Sequence, residues 1–286
     1  MFGRRGTLPF LAGPPAAWLV LLFLVPLVLI VAFSVRPESG PVNMTDPWSP
    51  SLVQYQKVLE TPAFLRLLGV SLAMAFVVAA GATVLAFPVA YFLAFRARDR
   101  ATLYLTLLLV PFAVSFLLRV MAWKLMLGPA GVINSFLLFI GLTDEPVNLL
   151  LYSREAVVIT LVYVWIPFAA LPIYAALQRI ERGHLEAAAD LGAGPWTRFG
   201  RVTLPLSLPG ALAAFFMVFI PTAGEYVTPT LVGGIDGIMY GNITQSFFSR
   251  AGNWPLGSAL AMIMLIVTLV LVVVFLRVVD VRRVVA

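Results

Sequence analysis

Long apolar runs separated by short polar interruptions account for most of this chain. The first run, Ala16 to Val35, has about 20 residues, enough to cross a bilayer as a helix. Because further runs follow it, it reads as an uncleaved first span rather than a cleaved leader. A polar loop from Arg36 to Pro62 comes next. Within it Ser51 to Glu60 places Leu52, Tyr55 and Leu59 at helical spacing, which predicts a short interfacial helix. Further spans are predicted at about Leu67 to Phe95, Ala101 to Leu127, Glu155 to Leu177, Leu208 to Leu231 and Leu256 to Val279. The second holds the small-residue run Ala79, Ala80, Gly81 and Ala82, suited to close helix packing. The third is interrupted by Pro111 and carries Arg119 and Lys124 near its end. Between the third and fourth, Val132 to Ile140 reads as a further, partly buried helix.

The pattern is broken most sharply between Arg179 and Leu208. That stretch holds four arginines, three carboxylates, the lone histidine His184 and the break Gly192-Ala193-Gly194-Pro195. Gly183 to Leu191 fits one short helix, with Leu185, Ala188, Ala189 and Gly192 on a smooth face. Glu186 and Asp190 stand on another, one turn after Arg182. Gly192 and Gly194 permit a sharp turn, and Pro195 to Arg201 starts a second short helix. Pro205 and Pro209 are expected to prevent one continuous helix from running out of the loop. A small-residue face flanked by charges suits a groove on a partner protein, and a plain solvated loop has the same composition.

Composition turns this pattern into a class. Of 286 residues, 61% are hydrophobic and 11% charged, and the mean hydropathy is +1.00. Soluble domains have about 45–50% apolar and about 25% charged residues, so the chain is an all-α integral membrane protein. Cysteine is absent, which excludes disulfides and thiolate metal sites. The formal charge of +6 sits at helix ends and is explained by topology rather than by nucleic acid. With both termini on one side, that side carries Arg4, Arg5, Arg96, Arg98, Arg100, Arg179, Arg182, Arg198, Arg201, Arg277, Arg282 and Arg283. The other carries Arg36, Lys57, Arg66, Arg119, Lys124, Arg154 and Arg250. The bias makes the first side cytoplasmic, with residues 1–15 and 280–286 as cytoplasmic ends around a six-helix transmembrane domain at 16–279.

Candidate chemistry is sparse. The only lysines, Lys57 and Lys124, do not fall in a phosphate-binding loop, and one histidine cannot make a zinc-hydrolase motif. No catalytic residue and no metal ligand set is expected. Intramembrane charge marks a solute path by default, and Glu225, in Pro-Thr-Ala-Gly-Glu-Tyr-Val-Thr-Pro, is the leading candidate. Pro221, Gly224 and Pro229 interrupt its helix and free carbonyls that must be satisfied within protein or a wet cavity. Counting from Leu208 puts Glu225 about 25 Å from the inner surface, near the outer mouth. A carboxylate there suits an ammonium-bearing solute, with Tyr226 as a cation–π face. The competing reading pairs Glu225 with Arg119 or Lys124 as a structural bridge. Trp123, Tyr163 and Trp165 are further cavity candidates or interfacial belt residues. Asp236 and Arg250 lie in the last outer loop, available to an outer partner or to solvent.

The run Glu186-Ala187-Ala188, then Gly192, then Val202-Thr203-Leu204-Pro205 resembles the EAA loop of ABC importer permeases at every spacing, with Val202 in place of isoleucine. The resemblance implies the six-helix type I importer fold. It also implies a cytoplasmic coupling helix between the fourth and fifth spans, with Glu186, Ala187, Ala188, Asp190, Gly192, Ala193 and Gly194 meeting a separate ATPase. Four further segments, Arg119–Trp123, Gly131–Leu138, Val218–Gly234 and Asn253–Ala259, are similar to permeases of the spermidine/putrescine importer type. That narrower resemblance implies a bacterial inner-membrane location, a second permease subunit, two ATPase subunits carrying ATP and magnesium, a periplasmic substrate-binding protein and a polyamine cargo. Ferric ion, an opine or an amino-acid derivative are alternative cargoes within the same class. An ion-coupled secondary transporter would require an internal repeat with paired broken helices, and no second copy of the fifth span is found.

Overall fold

A computed structural model describes residues 13–37, 49–147 and 151–278. In chain order the helices are α1 Gly13–Ser34, α2 Val53–Glu60, α3 Pro62–Phe95, α4 Ala101–Leu109, α5 Phe116–Leu127, α6 Val132–Phe139, α7 Arg154–Gln178, α8 Arg182–Asp190, α9 Pro195–Ala223, α10 Tyr240–Ser249 and α11 Trp254–Val278. Six helical stretches are long and apolar enough to cross a membrane: α1, α3, Phe116–Phe139, α7, α9 and α11. Arg4, Arg5, Arg282, Arg283, Val279 and the two expected cytoplasmic ends lie outside the described residues, apart from 13–15.

The third span differs from the expectation of Ala101 to Leu127. Pro111 has no N–H to continue the helix, so α4 gives way to a short 3-10 turn at Val110–Ala113. Val114 and Ser115 are then extended, with ψ 137° and 138°, before α5 begins. The apolar stretch from Phe116 continues to Phe139 with a turn at Gly128–Gly131, so α6 belongs to it.

The fifth span also differs. Pro205 and Pro209 do not stop the helix. Leu204, just before Pro205, donates its N–H to the Phe199 carbonyl five residues back. The resulting π turn, Phe199–Thr203, widens the helix where a proline ring would meet the carbonyl four residues back. In α1 the residue before Pro26 does the same, Val25 donating to Val20. One helix therefore runs from Pro195 to Ala223 and ends at Gly224, short of the expected Leu231. A separate π turn follows at Pro229–Gly233.

The described residues form two compact units, one from 13–66 with 243–267 and one from 67–242 with 268–278. In the first, Tyr55 donates to Ser34 Oγ (2.8 Å) and Gln54 Nε2 to the Pro37 carbonyl (3.2 Å). Trp254 packs edge-on against Phe33 and Phe248. The buried face of α2 is Gln54 and Val58, whereas Leu52 and Leu59 are exposed. The short helix expected at 51–60 is present, with Leu52 and Leu59 turned outward and the Gln54 amide donating inside to the Pro37 carbonyl.

In the second unit α7 and α9 form the most extensive helix pair. Thr203, Ser207, Gly210, Ala214, Val218 and Thr222 are buried at spacings of three and four along α9. Such small residues let helices approach where lipid offers no hydrophobic drive for association. Gly210 marks the closest approach: a Cβ there would lie 2.4 Å from Ala176 Cβ and 2.6 Å from the Pro172 carbonyl. On α3, Phe76 packs on Phe215, and Phe87 and Tyr91 on Phe199.

Gly210→Val should therefore destabilise the purified protein by about 1–3 kcal/mol through overpacking, with Gly210→Ala shifted in the same direction. An unchanged Tm in detergent would show that α7 and α9 do not meet at this register.

Candidate functional site

The polar loop folds as α8, a turn and the start of α9. The turn has a defined hydrogen-bond pattern. Gly192 N–H reaches the Ala189 carbonyl (2.9 Å) and Ala193 N–H the Ala188 carbonyl (3.0 Å), a Schellman cap with Gly192 at φ +81°. Gly192 alone requires left-handed backbone. Gly194, at φ −67° and ψ 167°, adopts a conformation open to any residue, so only one of the two glycines is needed for the turn.

The smooth face expected of α8 is only partly exposed: Ala189 and Gly192 are open. Leu185 and Ala188 are half-buried against the chain itself, consistent with the packing of α8 on the π turn of α9. Gly183, Glu186, Ala187, Asp190 and Leu191, at spacings of three and four, face outward. Two large apolar side chains flank the turn with almost nothing over them: Leu191 is 89% exposed and Trp196 86% exposed. Sequence reasoning quoted both and assigned neither a role. The signal was present, since an apolar residue on each side of a charged helical turn has no intramolecular reason to be there. Behind α8, a cavity of about 480 Å³ is lined by Pro172, Arg179, Glu181, His184, Leu206 and Pro209, among others.

Glu225 sits in the gap after α9. Its Oε1 accepts from the backbone N–H groups of Val227 (2.8 Å) and Thr228 (3.1 Å), so the carboxylate caps the turn that follows. The expected bridge to Arg119 or Lys124 is not formed. Arg119 lies over the Phe112 ring at 4.4 Å and Lys124 approaches the Tyr152 ring at 5.6 Å. The Tyr226 ring is exposed, and its carbonyl accepts from Asn242 Nδ2 (2.8 Å) and Thr230 Oγ1 (2.6 Å). Gly241 closes the gap from one side, since a Cβ there would lie 2.6 Å from the Gly224 and Glu225 carbonyls.

Trp123 and Tyr163 are brought together, ring centroids 5.2 Å apart. Trp165 stacks obliquely on Phe168 at 5.5 Å, and Phe168 meets Phe112. Among the described residues no ring contact or hydrogen bond joins Glu225 to any of these. Asp236 is exposed and its carbonyl accepts from Arg154 Nε (2.7 Å), tying that loop to the start of α7; Arg250 is exposed.

Among the described residues, then, six stretches are able to cross a membrane and one ordered polar helix lies between α7 and α9. The family model for binding-protein-dependent transport system inner membrane components matches residues 82–285. The chain belongs to this family: it is a multi-pass inner-membrane permease of an ABC importer. Among its relatives, the spermidine/putrescine transport system permease protein PotB of Escherichia coli (strain K12) is 33% identical over 262 residues, 91% of this chain and 93% of that protein. PotB of Haemophilus influenzae is 31% identical over 261 residues, 91% and 90% of the two chains. A putative 2-aminoethylphosphonate transport system permease protein, PhnU of Salmonella typhi, is 28% identical over 232 residues, 79% and 78%. A chain of the crystal structure of a bacterial alginate ABC transporter, in complex with its alginate pentasaccharide-bound periplasmic protein, matches with TM-score 0.66 at 17% identity. The match covers 94% of this chain and 92% of that one. A chain of the inward-facing MetNI methionine ABC transporter matches with TM-score 0.57 at 22% identity, covering 77% and 95%. The type I importer fold implied by the EAA resemblance is the observed fold.

The Schellman cap gives a direct test. Gly192→Ala finds open space around its Cβ, so its cost is conformational, about 1–2 kcal/mol for an L-residue held in the left-handed region. Hydrogen exchange of the Ala187 to Asp190 amides should speed up accordingly. Gly192→Asn should recover part of the loss.

Proposed function

We propose that this chain is one of two permease subunits of an importer for polyamines such as spermidine and putrescine. A periplasmic binding protein delivers the solute, and separate ATPase subunits dock on α8 and drive the cycle. The observation that carries the cargo is the 33% identity to PotB over nearly the full length of both proteins. In this reading both termini and α8 face the cytoplasm, as the arginine distribution favours, and the permease domain spans residues 16–279.

The docking surface is the outward face of α8, Glu186, Ala187 and Asp190, with the turn at Gly192, Ala193 and Gly194 and the half-buried Ala188 shaping it. Leu191 and Trp196 are its apolar anchors. Exposed large apolar side chains beside charge are the usual composition of an interface hot spot. Magnesium and ATP belong to the partner, since nothing in this sequence forms a phosphate-binding loop.

On the outer side, Glu225 supplies the one carboxylate in the gap after α9. One of its oxygens takes the backbone N–H groups of Val227 and Thr228, and the exposed ring of Tyr226, next in sequence, offers an ammonium group a cation–π face. Trp123, Tyr163 and Trp165 are candidate aromatic contacts along the path.

Reconstituted with its co-encoded partners in proteoliposomes, the chain should support ATP-dependent uptake of labelled spermidine or putrescine. Uptake of a chemically different solute alone would leave the permease assignment standing and remove the polyamine. Trp196→Ala should weaken ATPase association by about 2 kcal/mol, roughly thirtyfold, read as loss of the ATPase from the purified complex. Glu225→Gln keeps an oxygen for the cap but loses the charge. Reduced uptake in an intact complex is the expected result, and unchanged kinetics would make Glu225 a cap and nothing more.

A further inference from the structure

A second cavity, of about 230 Å³, opens beside the break in the third span, lined by Leu107, Pro111, Phe112, Arg119, Tyr163 and Pro167 among others. Its depth follows from α7. That helix has 25 residues, about 37 Å at 1.5 Å per residue, and Tyr163 and Pro167 lie about 14 and 20 Å from its start. The cavity is therefore near the middle of a bilayer core about 30 Å thick. An arginine side chain there is too short to reach either headgroup layer, so a lipid phosphate is not its counter-ion.

Among the described residues no hydrogen-bond acceptor meets the buried Arg119 Nε, and the guanidinium's one charge-directed contact among them is the Phe112 face at 4.4 Å. A single aromatic face does not replace the hydration of a guanidinium, and a charge at the centre of a membrane span costs about 2.5–3.5 kcal/mol even on insertion scales. The cavity is reachable from outside the chain, since Leu107 is 57% exposed and Tyr163 41%. Nor does an uncompensated cation suit a polycationic cargo passing nearby.

We propose that the Arg119 cavity receives a carboxylate side chain from a membrane helix of the second permease subunit. The pair forms a charge-assisted, bidentate contact at mid-membrane depth that fixes the two permeases against each other. This rests on the paired-permease reading above. Charge complementarity selects the occupant: the site offers guanidinium donors, an aromatic wall and room for one acidic side chain. Removing one partner of such a pair leaves the other charge buried and alone.

The test uses the whole transporter in bacterial membranes. Leu107→p-benzoylphenylalanine, which leaves Arg119 in place, should crosslink on irradiation to the second permease, and mass spectrometry of the adduct should map a segment bearing Asp or Glu. Crosslinking only to lipid, to a second copy of this chain, or to a segment without an acid overturns the proposal. Arg119→Met should then reduce the second permease in the purified complex at least about tenfold, whereas Arg119→Lys, which keeps the charge but not the bidentate fork, should fall between that variant and the unaltered complex. Neutralising the mapped acid in the Arg119→Met background should restore it. An intact Arg119→Met complex with a raised KM for solute would instead make the cavity a solute subsite. If the unaltered complex contains no second permease, the paired-permease reading fails first and this inference with it. If that permease is present but not crosslinked, this inference fails alone.

Discussion

The close approach of α7 and α9 at Gly210 is the constraint on which the rest of the second unit depends. In lipid, burying apolar surface supplies little drive for helices to associate, so contact must come from shape. A missing Cβ at Gly210 lets the α9 backbone settle against Pro172 and Ala176. These two helices bracket the polar loop, so the same contact sets the spacing of the ends between which α8 and its turn are strung. The polar loop is thereby held by packing between the two helices that flank it.

Much of this was legible in the sequence for a simple reason: lipid removes ambiguity. A run of 20 apolar residues has few alternatives to a crossing helix, and the spacing from Glu186 to Pro205 resembles only one kind of loop. What was not legible was how prolines are absorbed. Pro111 breaks its span, whereas Pro205 passes through a helix widened by one residue, because Leu204 finds its acceptor at Phe199. Nothing in the local composition separates those outcomes; the surrounding packing decides. The same holds for α2, where Leu52 and Leu59 make a good helical stripe on paper, yet Gln54 and Val58 are the buried pair.

The site was half readable. Charged and small residues announced the polar loop, but which face of α8 looks outward depends on what α9 covers, and Leu185 and Ala188 turned inward. Glu225 stands out in the sequence as a carboxylate within an apolar span, and its partners are backbone N–H groups rather than cations. A proline- and glycine-rich break creates donors and acceptors that no residue pattern names, and an acidic side chain two positions away is well placed to take them. Arg119, conversely, was one of two candidate partners for Glu225 in the competing structural reading, and it lies over an aromatic ring instead.

The unbroken course of α9 has a mechanical meaning. Its 29 residues make a rod about 43 Å long at 1.5 Å per residue, with Trp196 near one end and the Gly224 gap just past the other. Push on such a rod at its base and the displacement emerges at the far tip largely undiminished, because hydrogen-bonded helix is stiff along its axis. The π turn at Phe199–Thr203 is the one compliant washer in that column, seated one turn above the exposed tryptophan. Under the proposed coupling at α8, the share of a push at Trp196 that reaches the Gly224 gap, against the share absorbed as a change in helical register, depends on those five residues.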